Sequence, residues 1–439
     1  MSANIAFMSN ERRIVITGIG AVTPVGIGLD SFWSNLKAGN SGISVLAPEY
    51  MTGYEDKNIP VKIGGMVKDF NIENYFTDPK QVKSMNKDMD KVSQFAVVAA
   101  KLAIEDSGID FDKLADYGSD RTKVSTFIGT GIGGIKTTCD DTTLLNNRGT
   151  KAIGIRSIIR LMPNAASGHV GIMWGLQGRA KSDATACASG LDSIFDAYWA
   201  IKNNLADVMV TGGTESCLNP LAITSFANMT ALSKRNCAPE ETSCPFDARR
   251  DGFVMSEGSV IFTFEELEFA KKRGAKIYAE LVGVGASCDA YHITAPAEDG
   301  SGGARSLVQA LDIAGLKDNR EAIDYISAHG TSTPLNDARE TMAIKQVFGE
   351  HAYKLSVSST KSMTGHMIGA AGPVALASSI MACKEGIISP TINYKEADPA
   401  CDLDYTPNKA KERNVEYSVA QALGFGGHNT CAIVKKYTS

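Results

Sequence analysis

Long apolar runs are missing from this chain. Nowhere does it approach the roughly 20 consecutive apolar residues that a membrane-spanning helix needs. Residues 1–11 also lack an apolar core of signal-peptide length. No membrane association is expected, and the cytoplasm is the expected compartment. An excess of one charge is missing too: 44 Lys and Arg stand against 49 Asp and Glu, a net −5. That balance argues against general binding to nucleic acid or anionic membranes, while leaving room for a local basic patch. The nine cysteines include no CxxC pair and no Cys/His cluster at zinc spacing, so no metal site is expected. Their odd, scattered placement fits a reducing compartment better than a disulfide framework.

Two nucleotide fingerprints fail. Gly18 and Gly20 follow a β-branched run, but the third glycine of a dinucleotide-binding turn would fall at position 23, which is Thr23. The glycine-rich stretch Gly129–Gly134 lacks the lysine of a P-loop. No linker rich in proline or glycine divides the 439 residues, so one rigid body is expected.

What the chain does contain is an alternation of strands and helices. Residues 12–20, 124–128, 207–213 and 259–264 read as buried strands, with helices predicted over 30–37, 88–106, the stretch after Cys187 and 265–273. This order suggests a parallel sheet with crossover helices. The second part repeats it. Residues 276–285, 323–328, 355–360 and 429–435 read as strands, and the first of them again ends in glycines. The duplication predicts two similar α/β halves, 1–266 and 267–439, with a site where strand ends converge.

One cysteine sits at such a point. After Cys187 the apolar residues Leu191, Ile194, Phe195, Tyr198 and Ile201 recur at helical spacing, which places Cys187 in a first turn. Free N–H groups and the helix dipole there favour a thiolate. A small buried apolar residue is the competing reading. Of the six histidines, only His329 and His366 follow strands at corresponding ends of the second half; His169, His292, His351 and His428 read as structural or exposed. A cysteine facing two imidazoles suits a particular chemistry. The sulfur takes an acyl group, and two N–H donors stabilise the enolate left by a decarboxylation. A hydrolase would instead need a placed water and a histidine oriented by a carboxylate.

Seven stretches carry a resemblance: VITGIGAVTPVG (15–26), ATACASG (184–190), VTGGTES (210–216), PFDARRDGFVMSEG (245–258), AHGTSTPLND (328–337), STKSMTGHMIGAAG (359–372) and GFGGHN (424–429). In this order they resemble the β-ketoacyl-acyl carrier protein synthases of the thiolase superfamily, closest to the type II elongating enzymes. The resemblance implies a thiolase-like fold with layers α-β-α-β-α, and an acyltransferase that needs no cofactor beyond carrier-bound substrates. It implies an acyl-accepting Cys187, with the backbone N–H groups of Cys187 and Phe425 as oxyanion hole. His329 and His366 would bind the thioester carbonyl of malonyl-carrier protein, supported by Lys361. Thr331 and Thr333 would line the phosphopantetheine tunnel, Ile132 the acyl pocket, and Phe425 would gate it. Lys83, Lys87, Lys234 and Arg235 lie where relatives meet the acidic carrier protein, and relatives form dimers.

Three positions depart from the family pattern. Ala375 replaces a glutamate fourteen residues after Lys361, Gln421 opens a stretch that relatives write NSFGFGG, and Cys244 replaces an arginine. They leave two pathways open. The chain is expected to extend fatty acyl chains or, alternatively, to be the ketosynthase subunit of a heterodimer that makes a specialised polyketide. Homodimer or heterodimer remains open with it.

Overall fold

A computed structural model describes residues 12–53 and 57–438; Met1–Glu11 lie outside the described residues. Nine main strands form the core sheet: β1 (Ile14–Thr23), β2 (Val124–Gly129), β3 (Val208–Glu215), β4 (Gly258–Glu266), β5 (Ala279–Cys288), β6 (Ile323–Ser327), β7 (Ser356–Ser358), β8 (Tyr417–Gly424) and β9 (His428–Lys436). Six helices matter for the site: α1 (Pro79–Asp88), α2 (Lys91–Ser107), α3 (Ser189–Lys202), α4 (Ser301–Ile313), α5 (Pro334–Phe348) and α6 (Ala371–Glu385).

The sheet order is β7-β6-β8-β9-β5-β1-β4-β3-β2, with the short strand Ala180–Lys181 beyond β2. Read outward from the β1/β5 junction, the two sides correspond: β1 to β5, β4 to β9, β3 to β8, β2 to β6. The junction itself is only three residue pairs long, Ile14 to Ile16 against Ala279 to Leu281. The expectation of a parallel sheet needs correction. Only the outer pairs β2/β3, β8/β6 and β6/β7, with the short strand Ala180–Lys181 on β2, are parallel among the described residues, while β3/β4, β4/β1, β1/β5, β5/β9 and β9/β8 are antiparallel. The chain returns from β8 to β9 by a tight glycine turn, and a hairpin of that kind pairs strands antiparallel.

The glycines of β1 are a second correction. They do not end the strand, which runs on to Thr23. A Cβ at Gly20 would lie 1.9 Å from Ala99 O of α2, so the glycine is there to let helix backbone rest on strand backbone. The second half repeats the device: a Cβ at Gly285 in β5 would lie 2.0 Å from Ser306 O of α4. This shared detail supports duplication more strongly than element order does.

The helices make the remaining layers. α2 packs on β1, β4 and β3 from one outer face, and α4 packs on β5 and β9 from the other. Between the halves lie α3 and α6, each touching strands of both. α6 is Ala- and Ser-rich, and Ala371 through Cys383 are buried on every face, as a helix enclosed between the two sides of the sheet must be. The result is the expected α-β-α-β-α stack. One long helix over 88–106 was expected; the structure breaks it at Asp90, whose carboxylate caps α2 through Val92 N and also accepts Thr137 N at 2.9 Å. No helix among the described residues is long and apolar enough to cross a membrane.

Candidate active site

The two central helices bring their N-termini together. A Cβ at Gly190, in the first turn of α3, would lie 2.5 Å from Gly369 O just before α6, so the crossing requires glycine. Cys187 precedes α3 in a single 3₁₀ turn (Ala186–Ala188), and His366 precedes α6. Ala186 takes φ +51°, a conformation uncommon for a residue with a Cβ and a mark of strain beside the sulfur.

His366 Nε2 lies 3.0 Å from Cys187 Sγ, and the His329 ring lies 5.3 Å from the His366 ring at 84°. One donor atom from each of the three residues falls within 4.8 Å of the others. Such a trio can suit a soft metal ion, but the hydrogen bonding speaks for a different use. Ile368 N–H donates to His366 Nδ1 at 3.2 Å, which makes Nδ1 an acceptor and leaves the ring proton on Nε2. The nitrogen facing the sulfur is therefore a hydrogen-bond donor, where a metal would need its lone pair. Burial holds both imidazoles well below the usual histidine range, with the Lys361 charge adding to the effect. At neutral pH both are uncharged.

Cys187 is buried, and the thiolate expected from the helix dipole is not favoured. Burial pushes the Cys187 thiol up to about 12, outweighing the Lys361 charge and the N–H groups of Phe425 and Cys187 that draw it down. Those two N–H groups converge beside the sulfur, where the carbonyl oxygen of a thioester attacked by that sulfur would come to lie. Phe425 is half-buried in the turn between β8 and β9, its ring 6.4 Å from Phe226.

Lys361 is buried and donates to His329 O at 2.5 Å. Its expected carboxylate partner is absent at Ala375, and the opposing charge comes instead from the carboxylates of Glu340 and Asp337. Burial still draws its ammonium down to about 8. Glu340 and Asp337, one turn apart on α5, grip the turn after β6. Glu340 accepts His329 N–H at 2.6 Å and Gly330 N–H at 2.7 Å, and Asp337 accepts Thr331 N–H at 3.0 Å and Ser332 N–H at 3.2 Å. A third buried carboxylate, Glu215 at the end of β3, accepts Thr130 Oγ1, Gly131 N and Gly369 N, and burial raises it to about 7. Sequence reasoning missed Glu215 and Glu340. The stretch VTGGTES was recognised without assigning its glutamate, and nothing in a lone acid eleven residues after His329 marks it as buried.

A cavity of about 410 Å³ opens on this group. Cys187, His329, His366, Phe425, Ile132, Thr331 and Thr333 all line it, so seven residues proposed from sequence converge. The Thr331 and Thr333 hydroxyls bond each other at 2.9 Å. His169, His292, His351 and His428 do not line it. Neither do Lys83 and Lys87, exposed on α1, nor Lys234, which is exposed as well. Arg235 differs from the solvated cation expected. Its guanidinium turns inward, donating to Glu241 O at 3.0 Å, Thr242 O at 3.2 Å and Cys244 Sγ at 2.9 Å.

Comparison with known proteins shows the family. Residues 11–270 match the beta-ketoacyl synthase N-terminal domain and residues 278–395 the C-terminal domain. The chain belongs to the beta-ketoacyl synthase family. It is an acyltransferase. It is 44% identical over 427 residues, 97% of this chain and 99% of its counterpart, to a 3-oxoacyl-[acyl-carrier-protein] synthase 2 of Synechocystis. A protein of the same name from Staphylococcus aureus is 41% identical over 98% of this chain and 100% of its own length. Among solved structures, a beta-ketoacyl synthase from Burkholderia phymatum has a TM-score of 0.87 at 34% identity, covering 97% of this chain and all of its own. A type II polyketide ketosynthase bound to its acyl-carrier protein also scores 0.87, at 32% identity over 98% of this synthase and 100% of that chain.

Proposed function

We propose that this synthase catalyses the decarboxylating Claisen condensation of a Cys187-bound acyl chain with malonyl-acyl carrier protein, giving 3-oxoacyl-acyl carrier protein. The observation that carries the reading is the convergence of one thiol and two neutral, proton-bearing imidazoles on a single cavity. In the first step the Cys187 sulfur attacks the acyl thioester carbonyl, its oxygen received by the Cys187 and Phe425 N–H groups. The carrier thiol leaves with the proton lost from Cys187, so the step is neutral. In the second, the malonyl thioester oxygen accepts a hydrogen bond from His366 Nε2 and from the His329 ring. Carbon dioxide leaves, and the enolate carbon attacks the acyl-cysteine. One proton from solvent restores the Cys187 thiol.

Lys361 supports the pair by fixing His329 through its carbonyl, and Thr331 and Thr333 meet the pantetheine arm. Lys83, Lys87 and Lys234 present the charge that an acidic carrier protein seeks, with Arg235 contributing less because it is bound inward. A second ketosynthase-like chain is the natural partner for the exposed residues Ile155 (93% exposed), Ile158, Ile159 and Met162, which lie beside the turn bearing Ile132. Fatty acyl extension is the leading reading, since the relatives of that activity align end to end at above 40% identity. The polyketide reading draws on the ketosynthase/chain length factor of ishigamide, a neighbour at 32% identity. Purified protein given acyl- and malonyl-carrier protein should yield 3-oxoacyl-carrier protein and carbon dioxide. Release of free acid instead would count for a thioesterase.

A further inference from the structure

Glu215 does not line the cavity, yet two turns that do are built on it. Its Oε1 accepts Thr130 Oγ1 at 3.0 Å, and its Oε2 accepts both Gly131 N–H at 2.8 Å and Gly369 N–H at 3.1 Å. The first turn presents Ile132 to the cavity. The second follows His366, and its Ile368 N–H is the donor that fixes the His366 proton on Nε2. The two turns lie backbone against backbone, since a Cβ at Gly369 would stand 2.6 Å from Gly131 N. Two amide donors thus point at one spot. Without a shared acceptor both would be buried and unpaired, and they would push apart.

The side chain that supplies the acceptor is fully buried. A carboxylate is an expensive group to bury for packing alone. Its three bonds join two turns with different duties, one shaping the acyl wall and the other aiming an imidazole. A displacement of Ile132 by an incoming chain must move Gly131, and Gly131 shares its acceptor with Gly369.

We infer that Glu215 is a positioning residue that couples the acyl wall at Ile132 to the His366 turn, so that an acyl chain in the cavity sets His366 for decarboxylation. The inference rests on the condensing reading above. It deepens it by giving the two half-reactions a physical connection.

The test compares wild type, Glu215→Ala, Glu215→Gln and Thr130→Val. Two rates are followed separately: Cys187 acylation, by intact mass, and carbon dioxide release from malonyl-carrier protein, with and without prior acylation. Wild type should release carbon dioxide faster once acylated. Glu215→Ala should accept a short acyl group within about threefold of wild type while acyl-stimulated decarboxylation falls about 10- to 100-fold, the scale of losing charge-assisted hydrogen bonds. Glu215→Gln keeps an acceptor for both amides and should recover most of that loss. Thr130→Val should fall between. Equal loss in both rates, no loss in either, or a Gln variant as impaired as Ala would overturn the inference. If Glu215→Ala does not fold, Gln and Val decide: near-wild-type stimulation in Gln with a several-fold loss in Val supports the coupling, and the same stimulation in both contradicts it. A wild type that acylates but forms no 3-oxoacyl product would instead overturn the condensing reading.

Discussion

His366 Nε2 stands 3.0 Å from Cys187 Sγ, and the Ile368 amide behind it, at Nδ1, decides that Nε2 carries the hydrogen. The pair is therefore a donor facing a sulfur, unlike the base facing a nucleophile of a hydrolase. Its second use follows once the sulfur is acylated: the same N–H is free to meet an enolate oxygen.

His366→Ala should lose decarboxylation by about 10²- to 10³-fold, the scale of removing one donor from a developing oxyanion. Acylation of Cys187 should persist. Mass spectrometry for the acyl enzyme and carbon dioxide release for the second step separate the two. Equal loss of both would make His366 a base for acylation.

Both imidazoles are held below the ordinary histidine value of about 6.5 by burial and by Lys361. A depressed value means that protonation begins only at more acidic pH. Decarboxylation by pre-acylated enzyme should therefore show no loss centred near pH 6.5. A step there that persists in Glu215→Gln and in Glu340→Gln would contradict neutral imidazoles lying this low.

Burial raises the Cys187 thiol to about 12, and the Lys361 charge is the first influence opposing it. A raised thiol value leaves little thiolate at neutral pH, so alkylation by iodoacetamide should still be rising above pH 9, where an ordinary cysteine of pKa about 8.5 levels off. Lys361→Met should slow alkylation at pH 8, roughly tenfold per unit of further shift. Unchanged alkylation in that variant would remove Lys361 from the sulfur's surroundings.

Glu340 holds two buried amides, and Glu340→Ala leaves both unpaired at a cost of roughly 1–3 kcal/mol each. Denaturant unfolding should report that loss. Glu340→Gln should cost less, since it keeps one acceptor. Burial raises the Glu340 carboxyl to about 7, and a raised value destabilises the fold as pH climbs from the unfolded value of about 4.3 through 7. The stability of wild type should decline over that window by more than that of Glu340→Gln.

Much of this was readable in the sequence because the fold repeats its signals. Short β-branched runs end beside the chemistry: residues 323–327 lead into His329, and residues 356–358 lead toward Lys361 and His366. What sequence reading missed was depth. The helix after Cys187 announces a dipole, but only the packed structure shows that burial outweighs it. Glu215 and Glu340 look like ordinary acids on a strand and a helix until the backbone amides converging on them are seen. Asp90 likewise sat within an apolar period and read as helix interior, although it caps α2 and receives Thr137. The glycines of β1 read as a turn in the sequence, because the helix lying on them comes some eighty residues later in the chain.

The most direct measurement is the mass of the Cys187 peptide after incubation with acyl-carrier protein, and again after malonyl-carrier protein is added. An acyl adduct should form on Cys187 and disappear as 3-oxoacyl-carrier protein forms. No adduct on Cys187, or an adduct that leaves as free acid, would contradict it.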